Sequence, residues 1–223
     1  MHSLGPVWCP LKGIAMKDLG ENVFLFTFHQ ASGRKKAVED RPWMFEKDLL
    51  VIEEYEASKA IDEYMFNSIP IWVRVFILPL GSMDGDTGEM IGNRIGKFLE
   101  VEGLVIGLVV GQYLRVKVRM FIERPLMRGT MLGAKGGKCS RWCPFVYEYL
   151  PEFSYVCGVI GHIDKDCSKK LKKEEEPQFG SWLRWNPPRR LSYSDSKKGG
   201  SGGTRRQGSW GSRSSGHGSD APS

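Results

Sequence analysis

Apolar and polar residues alternate with two different periods along the first 125 residues, and each period predicts a different element. ENVFLFTF (21–28) is a nearly continuous run of β-formers and reads as a buried strand. SGRKKAVED (32–40) predicts a short helix with Ser32 at its N-cap. RPWMFEKDLLVIEEYEA then predicts a turn followed by a strand near 48–55, and PIWVRVFILPL (70–80), fenced by Pro70 and Pro79, is a clear strand. In GSMDGDTGEMIGNRIGKFLEVE, Asp86 and Glu89 have capping-box spacing, and Ile91, Ile95, Phe98 and Leu99 fall on one face of the helix that follows. Asp84 reads as part of a polar turn, and the small residues of IGNRIG suit close packing on a sheet. YLRVKVRMFIERP (113–125) is the last clear strand.

The order strand, helix, strand, strand, helix, strand predicts an α+β fold, one antiparallel sheet with helices on one face. That domain is expected over 1–130, with 131–152 a connector in which GTMLGAKGGKCS is loop. A distinct short segment, 153–168, follows. From 169 to 223 the composition turns to Lys, Glu, Gly, Ser and Arg without a periodic apolar face, which predicts a disordered basic tail. There is no internal repeat.

Charge sharpens this division. The chain has 223 residues and a net charge of +6, but residues 1–110 hold 11 basic and 16 acidic side chains. Residues 111–141 hold 8 basic and 1 acidic, and the stretch from Ser168 onward holds 12 basic and 5 acidic. Two separated basic stretches suggest a polyanionic partner. Five cysteines (Cys9, Cys139, Cys143, Cys157, Cys167) do not resemble a disulfide framework. MHSLGPVWCPLKGIAM lacks the apolar core of a secretory signal. A reducing compartment, nuclear or cytoplasmic, is the expectation. The longest apolar run, LVIGLVV (104–110), is far too short to span a bilayer.

FSYVCGVIGHIDKDC (153–167) carries the strongest chemical signal. Cys157, His162 and Cys167 stand at C-x4-H-x4-C spacing, and a structural zinc ion takes four tetrahedral nitrogen or sulfur donors. Gly158 and Gly161 permit the tight backbone of so small a loop. A fourth donor is due three residues before Cys157, where Ser154 stands. A serine hydroxyl keeps its proton at neutral pH and is a poor donor, so weak or partial Zn2+ binding is expected. Cys143 and Cys139 lie 11 and 15 residues upstream of this position and reach it only by looping back. The plainer alternative is two free thiols and a surface histidine.

YEYLPEFSYVCGVIGHIDKDC resembles the plant variant of the retroviral-type zinc knuckle, the CCHC-type Cys-x2-Cys-x4-His-x4-Cys motif. That variant commonly follows a domain of unknown function in LINE-type retrotransposon proteins. LGENVFLFTF, RPWMF, IWVRVFILPL, IGKFLEVE, YLRVKVRMFIERPLMRG and, after the knuckle, FGSWLRW resemble further parts of that family, so the likeness covers roughly 5–185. The resemblance implies an RRM-like α+β domain, a zinc knuckle, and gag-like binding of single-stranded RNA or DNA. It also implies an apolar platform for an unpaired base at Tyr155 and Ile163, with Lys165 neutralising a phosphate. Members of the family carry a further strand and helix before the segment that opens this chain, so a truncated domain with one uncovered sheet edge is expected. Such an edge could pair in a homo-oligomer.

Two other basic features fit the same partner. Alternation along LRVKVRM points Arg115, Lys117 and Arg119 to one face and Leu114, Val116, Val118 and Met120 to the other. A sheet with such an outward cationic face is a platform for single strands, although no aromatic pair for base readout is evident. Arg124, Arg128, Lys135, Lys138 and Arg141 extend the charge. KKGGSGGTRRQGSWGSRSSG, with Arg205, Arg206, Arg213 and Trp210, is similar to RGG-type segments that hold RNA loosely. No catalytic arrangement is visible: GAKGGKC is one residue short of a P-loop, and no hydrolase motif occurs. The expectation is a non-enzymatic, weakly selective binder of single strands, without membrane or small-molecule partners. The rival is a protein-interaction domain with a vestigial, metal-poor knuckle.

Overall fold

The computed structural model describes residues 4–185, except 41, 47, 134–139 and 173. Its first part is a small lobe of α1 (Gly5–Trp8), β1 (Ile14–Gly20), β2 (Val23–Phe28), α2 (Ala31–Glu39), β3 (Trp43–Phe45) and β4 (Asp48–Leu50). β1 and β2 pair as an antiparallel hairpin whose turn holds Gly20, Glu21 and Asn22 at positive φ. Trp8 is the nucleus of the lobe. Its ring lies 5.4 Å from Phe26, 5.7 Å from Phe28 and 5.5 Å from Trp43. Trp43 is buried as well, and its indole N–H donates to the Ala37 carbonyl at 2.9 Å. Such offset and edge-on aromatic contacts add to the area the rings remove from water.

The second part contains β5 (Ser68–Phe76), α3 (Gly85–Ile95), β6 (Lys97–Val101), a short hairpin of β7 (Leu104–Val105) and β8 (Leu108–Val109), β9 (Tyr113–Phe121), β10 (Gly129–Gly133), β11 (Ser140–Glu148) and β12 (Arg184–Trp185). The sheet runs β10-β11-β5-β9-β6 with antiparallel neighbours, and β12 adds to β11 in parallel. β5 and β9 pair through nine residues, from Ser68 opposite Phe121 to Phe76 opposite Tyr113. Successive side chains point to opposite faces, so this register fixes both faces at once. Ile69, Ile71, Val73 and Val75 join Leu114, Val116, Val118 and Met120 in the core.

α3 lies on that apolar face through Ile91 and Ile95. Gly88 and Gly92 let it come close: a Cβ at Gly88 would stand 2.3 Å from a methyl of Val101, and one at Gly92 would stand 2.8 Å from the Phe98 ring. The close packing expected of the small residues in this helix is therefore present. Its N-cap differs from expectation. The Asp84 carboxylate accepts from the Thr87 amide at 2.8 Å, and Asp86 lies inside the first turn. Phe98 and Leu99 belong to β6, because the helix ends at Ile95.

The expected six-element layout in one sheet is not adopted. The strand at 23–28 pairs with β1 in a separate hairpin, since its Phe26 and Phe28 pack on Trp8 rather than on the main core. α2 starts after Gln30, with Ser32 already helical, and covers this lobe. The strand expected near 48–55 is confined to Asp48–Leu50, paired with β3 where a turn was expected. The loop and connector expected after residue 128 supply β10 and β11, with Cys143, Phe145 and Tyr147 in the core. The arrangement is mixed α/β, with three α-helices among the described residues.

On the other face, Arg74 and Arg115 stand directly opposite each other across β5 and β9. Two like charges in that position repel unless a counter-charge lies between them. Glu148, only 4% exposed, supplies it. Its carboxylate accepts from Arg74 Nε at 2.5 Å, Arg115 Nε at 2.9 Å and Arg115 Nη2 at 2.7 Å. Arg115 also pairs with Glu102, Lys117 with Glu100 at 3.0 Å, and Arg119 with Glu53 at 3.3 Å. Aromatic rings flank the cations: the Arg74 guanidinium lies 3.7 Å from the Trp185 ring centroid, and that of Arg115 lies 4.0 Å from Trp72.

Burial pushes the Glu148 carboxyl up, but hydrogen bonds from Arg115 and Arg74 outweigh it and hold it below its ordinary value of 4.5. A carboxyl lowered on folding contributes stability above its unfolded pKa and loses it as the pH falls through the folded one. Acid titration of stability should therefore show a loss beginning near pH 4.5 that is absent from Glu148→Ala. At neutral pH that variant leaves two guanidinium groups facing each other and should cost about 3–5 kcal/mol in urea unfolding.

Candidate metal centre

The knuckle segment leaves the sheet directly from β11. Leu150 and Phe153 are buried in the main core, and Phe153 bridges to Ile160, also buried. Two backbone bonds close the loop: the Gly158 amide donates to the Ser154 carbonyl at 2.8 Å, and the Ser154 amide to the Val159 carbonyl at 3.1 Å. Gly158 and Gly161 both have positive φ, 75° and 95°, as the loop requires. A Cβ on Gly158 would also strike the Phe179 ring at 2.5 Å. From the sheet side, the Leu126 amide donates to the Gly158 carbonyl at 2.9 Å.

Folding brings Cys157, His162 and Cys167 together, with one ligand atom of each within 4.8 Å of the others. Cys157 Sγ lies 3.2 Å from His162 Nε2. Both thiols are buried and the imidazole is half-buried. Cys167 is pulled down to about 7, first by a hydrogen bond with the Ser154 side chain, then by His162, a backbone amide and Cys157, against opposing desolvation. A thiol so lowered carries substantial thiolate near neutral pH, which is the form that binds metal. Two sulfurs and one imidazole converging at this distance suit zinc, which would tie the two ends of the loop together. Cys143 does not substitute for the absent first cysteine: it is buried in β11 with its thiol 3.7 Å from the Ile77 carbonyl oxygen.

Ser154 is fully buried beside this cluster. Its hydroxyl donates to Asp164 Oδ1 at 2.8 Å and accepts from the amides of Val156 at 3.1 Å and Cys157 at 3.3 Å. The same Asp164 oxygen accepts from the amides of Tyr155 at 2.7 Å and Val156 at 3.2 Å. Desolvation pushes the Asp164 carboxyl up, but these bonds and nearby His162 prevail and hold it below its ordinary value. Sequence reasoning misses Asp164. Its one signal is a carboxylate two residues after a histidine ligand, which alone distinguishes nothing.

The residues expected to meet nucleic acid are dispersed. Tyr155 is half-buried, packs against the core and lies 5.1 Å from the Phe153 ring. Ile163 and Lys165 are exposed. Arg115, Lys117 and Arg119 share one face as the alternation implies, but each is ion-paired and Lys117 is buried. The face is a compensated network, not an open cationic platform. Arg205 and Arg206, with Cys139, Lys135 and Lys138, lie outside the described residues.

The expected tail begins with structure that residue composition conceals. Leu183 is fully buried, Phe179 covers Gly158, and Trp185 sits in β12. Arg184 donates to the carbonyls of Leu150 and Pro151 at 3.2 and 3.1 Å, pairs with Glu152 at 3.4 Å, and lies 5.1 Å over the Phe153 ring. Residues 179–185 thus strap the knuckle to the sheet.

A family model described as a zinc knuckle matches residues 122–169, which span the turn after β9, β10, β11 and the whole loop. No curated protein and no solved structure matches the chain.

Two independent supports for the loop predict different outcomes. Leu183→Ala should destabilise the chain by about 2–5 kcal/mol in urea unfolding, through the cavity left in the core. Gly158→Ala, strained by φ and blocked by Phe179, should lower zinc affinity together with stability. Titration with a chromophoric zinc indicator checks the second; unchanged affinity and stability would show that the loop tolerates a different backbone.

Proposed function

We propose that this chain is a non-enzymatic nucleic-acid-binding protein of retrotransposon, gag-like descent that holds single-stranded RNA or DNA with low sequence selectivity. The observation that carries the reading is the zinc-knuckle match over 122–169, together with the convergence of Cys157, His162 and Cys167 inside it. The ion would fix the loop, and the loop's outer surface would meet the strand. Tyr155 and Ile163 offer apolar surface for an unpaired base, although Tyr155 gives only part of its ring. Lys165, Lys169, Lys170 and Lys172 are exposed along and just after the loop, where a phosphate chain could follow them. The segment containing Arg205 and Arg206 would add loose charge contacts. The paired cations of β9 contribute less, because binding a phosphate there must first break an existing ion pair. A nuclear or cytoplasmic location accords with reduced thiols at the site.

A protein-interaction role is favoured by one feature, the β7–β8 hairpin. Val105, Ile106 and Val110 are 66%, 99% and 91% exposed, an unusual density of apolar surface at one tip.

Fluorescence anisotropy of a labelled single-stranded RNA at rising salt tests the main reading. Affinity should fall linearly on a log–log scale as counterions are released. Replacing Lys165 and Lys169 with Ala should flatten that slope by about one for each phosphate no longer neutralised, and Tyr155→Ala should cost about 1–3 kcal/mol. Absence of any anisotropy change in dilute buffer overturns the proposal. Salt-insensitive dimers abolished by Ile106→Glu, with no RNA binding, would establish the protein-interaction role instead.

A further inference from the structure

We infer that Ser154 and Asp164 form a hydrogen-bonded clasp that holds the two turns of the knuckle together without a metal ion. The inference is independent of the nucleic-acid reading. An ion on Cys157, His162 and Cys167 would add to this fold rather than create it.

The clasp joins the segments that an ion would join. The loop has one turn at 155–157 and a second at 164–166. A four-donor ion at Cys-x2-Cys-x4-His-x4-Cys spacing takes ligands on both sides of each turn and so ties the two together. In this chain position 154 carries a hydroxyl instead, which reaches across ten residues to Asp164, at the start of the second turn, at 2.8 Å. Asp164 Oδ1 also accepts from the amides of Tyr155 at 2.7 Å and Val156 at 3.2 Å. Three hydrogen bonds from the first turn and its leading residue therefore converge on a single carboxylate oxygen of the second. Hydrogen bonds to an ionised carboxylate are about twice as strong as those between neutral groups.

Ser154 is fully committed to this arrangement. Its oxygen accepts from the Val156 amide at 3.1 Å and the Cys157 amide at 3.3 Å, while its proton goes to Asp164. Its own amide donates to the Val159 carbonyl, and its carbonyl accepts from the Gly158 amide. A hydroxyl has one proton and two lone pairs, so every polar group of this fully buried residue is used within the loop. A buried hydroxyl stripped of its acceptor is costly, which couples the order of the first turn to the presence of Asp164. A cysteine sulfur is a weak donor and a weak acceptor and cannot hold the same bonds as well. The serine that departs from the four-donor pattern is thus the residue type that suits a loop closed by hydrogen bonds.

Supports outside the clasp anchor the same loop. The Gly161 amide donates to the Glu152 carbonyl at 2.9 Å, the Leu126 amide to the Gly158 carbonyl, and Phe153 and Ile160 are buried in the core. These fix the first turn to the domain, and Asp164 carries that order into the second.

Amide hydrogen exchange of the reduced full-length chain, read by NMR at Tyr155, Val156 and Cys157 with and without a zinc chelator, tests the clasp. The wild type should show the same protection in chelator as in zinc. Asp164→Ala, a change at an exposed position, should lose about 10–100-fold of that protection in chelator, the range expected for removing a charged hydrogen-bond partner. Ser154→Cys should lose it in chelator and regain it with zinc, because a thiolate completes the four-donor set. The core amides of β5 and β9 should stay protected throughout, which separates opening of the loop from unfolding of the domain. Collapse of wild-type protection in chelator, a measurement that needs no variant, would overturn the clasp and make the ion the organiser. Unchanged protection of Asp164→Ala in chelator would overturn it as well. Neither result touches the nucleic-acid reading, since no RNA enters the measurement.

Discussion

The long register between β5 and β9 is the constraint from which the rest follows. Nine residue pairs in sequence leave no freedom in which side chains share a face. One set, all aliphatic, is closed by α3. The other set must place Arg74 against Arg115, and that juxtaposition is tolerable only because Glu148 arrives from β11 with its carboxylate between them. Strand pairing, burial and charge compensation are therefore one problem with one solution. Shifting β5 or β9 by a residue would turn its arginine toward the α3 side and expose its valines, and shifting β11 would turn Glu148 inward.

The position of the knuckle depends on the same sheet. An isolated knuckle has too few apolar side chains to fold and relies on its ion for that free energy. Here Phe153 and Ile160 are inserted into the domain core, and Leu183 joins the same core from the strap. Each such burial contributes about 1.5–3 kcal/mol, and the Asp164 bonds tie the loop's start to its end. A loop supported in this way does not need the ion as its sole organiser.

Legibility in the sequence follows the range of the interactions. The strands at 70–80 and 113–125 and the helix before 96 are readable because period and breakers act over a few residues. The pattern misplaces the helix N-cap by two residues, since Asp84 and Asp86 are equally good acceptors and only the backbone chooses. β10 is hidden by its setting: the turn-like GTMLG carries few β-formers and becomes a strand by pairing with β11, whose own β-formers are interrupted by Pro144. The strap is hidden by its neighbours, since FGSWLRW follows directly on a run of lysine and glutamate. The charge pattern misleads most. Glu148 is 33 residues from Arg115 and 74 from Arg74, so a run that reads as unopposed positive charge is neutralised only after folding.

That neutralisation bears on how a polyanion would be recognised. Cations already paired on a partly buried face project little field into solvent, whereas Lys165, Lys169, Lys170 and Lys172 lie in the open. Even these are followed at once by Glu174, Glu175 and Glu176, so the net field of this region falls off within a short distance. Long-range attraction would then have to come mainly from the arginines beyond residue 186, and the loop would act at contact. If the proposed reading holds, diffuse capture would fall to the run of Gly, Ser and Arg and close fit to the small, tightly hydrogen-bonded loop. On the proposed reading, the loop would orient a base or phosphate that charge alone brings near.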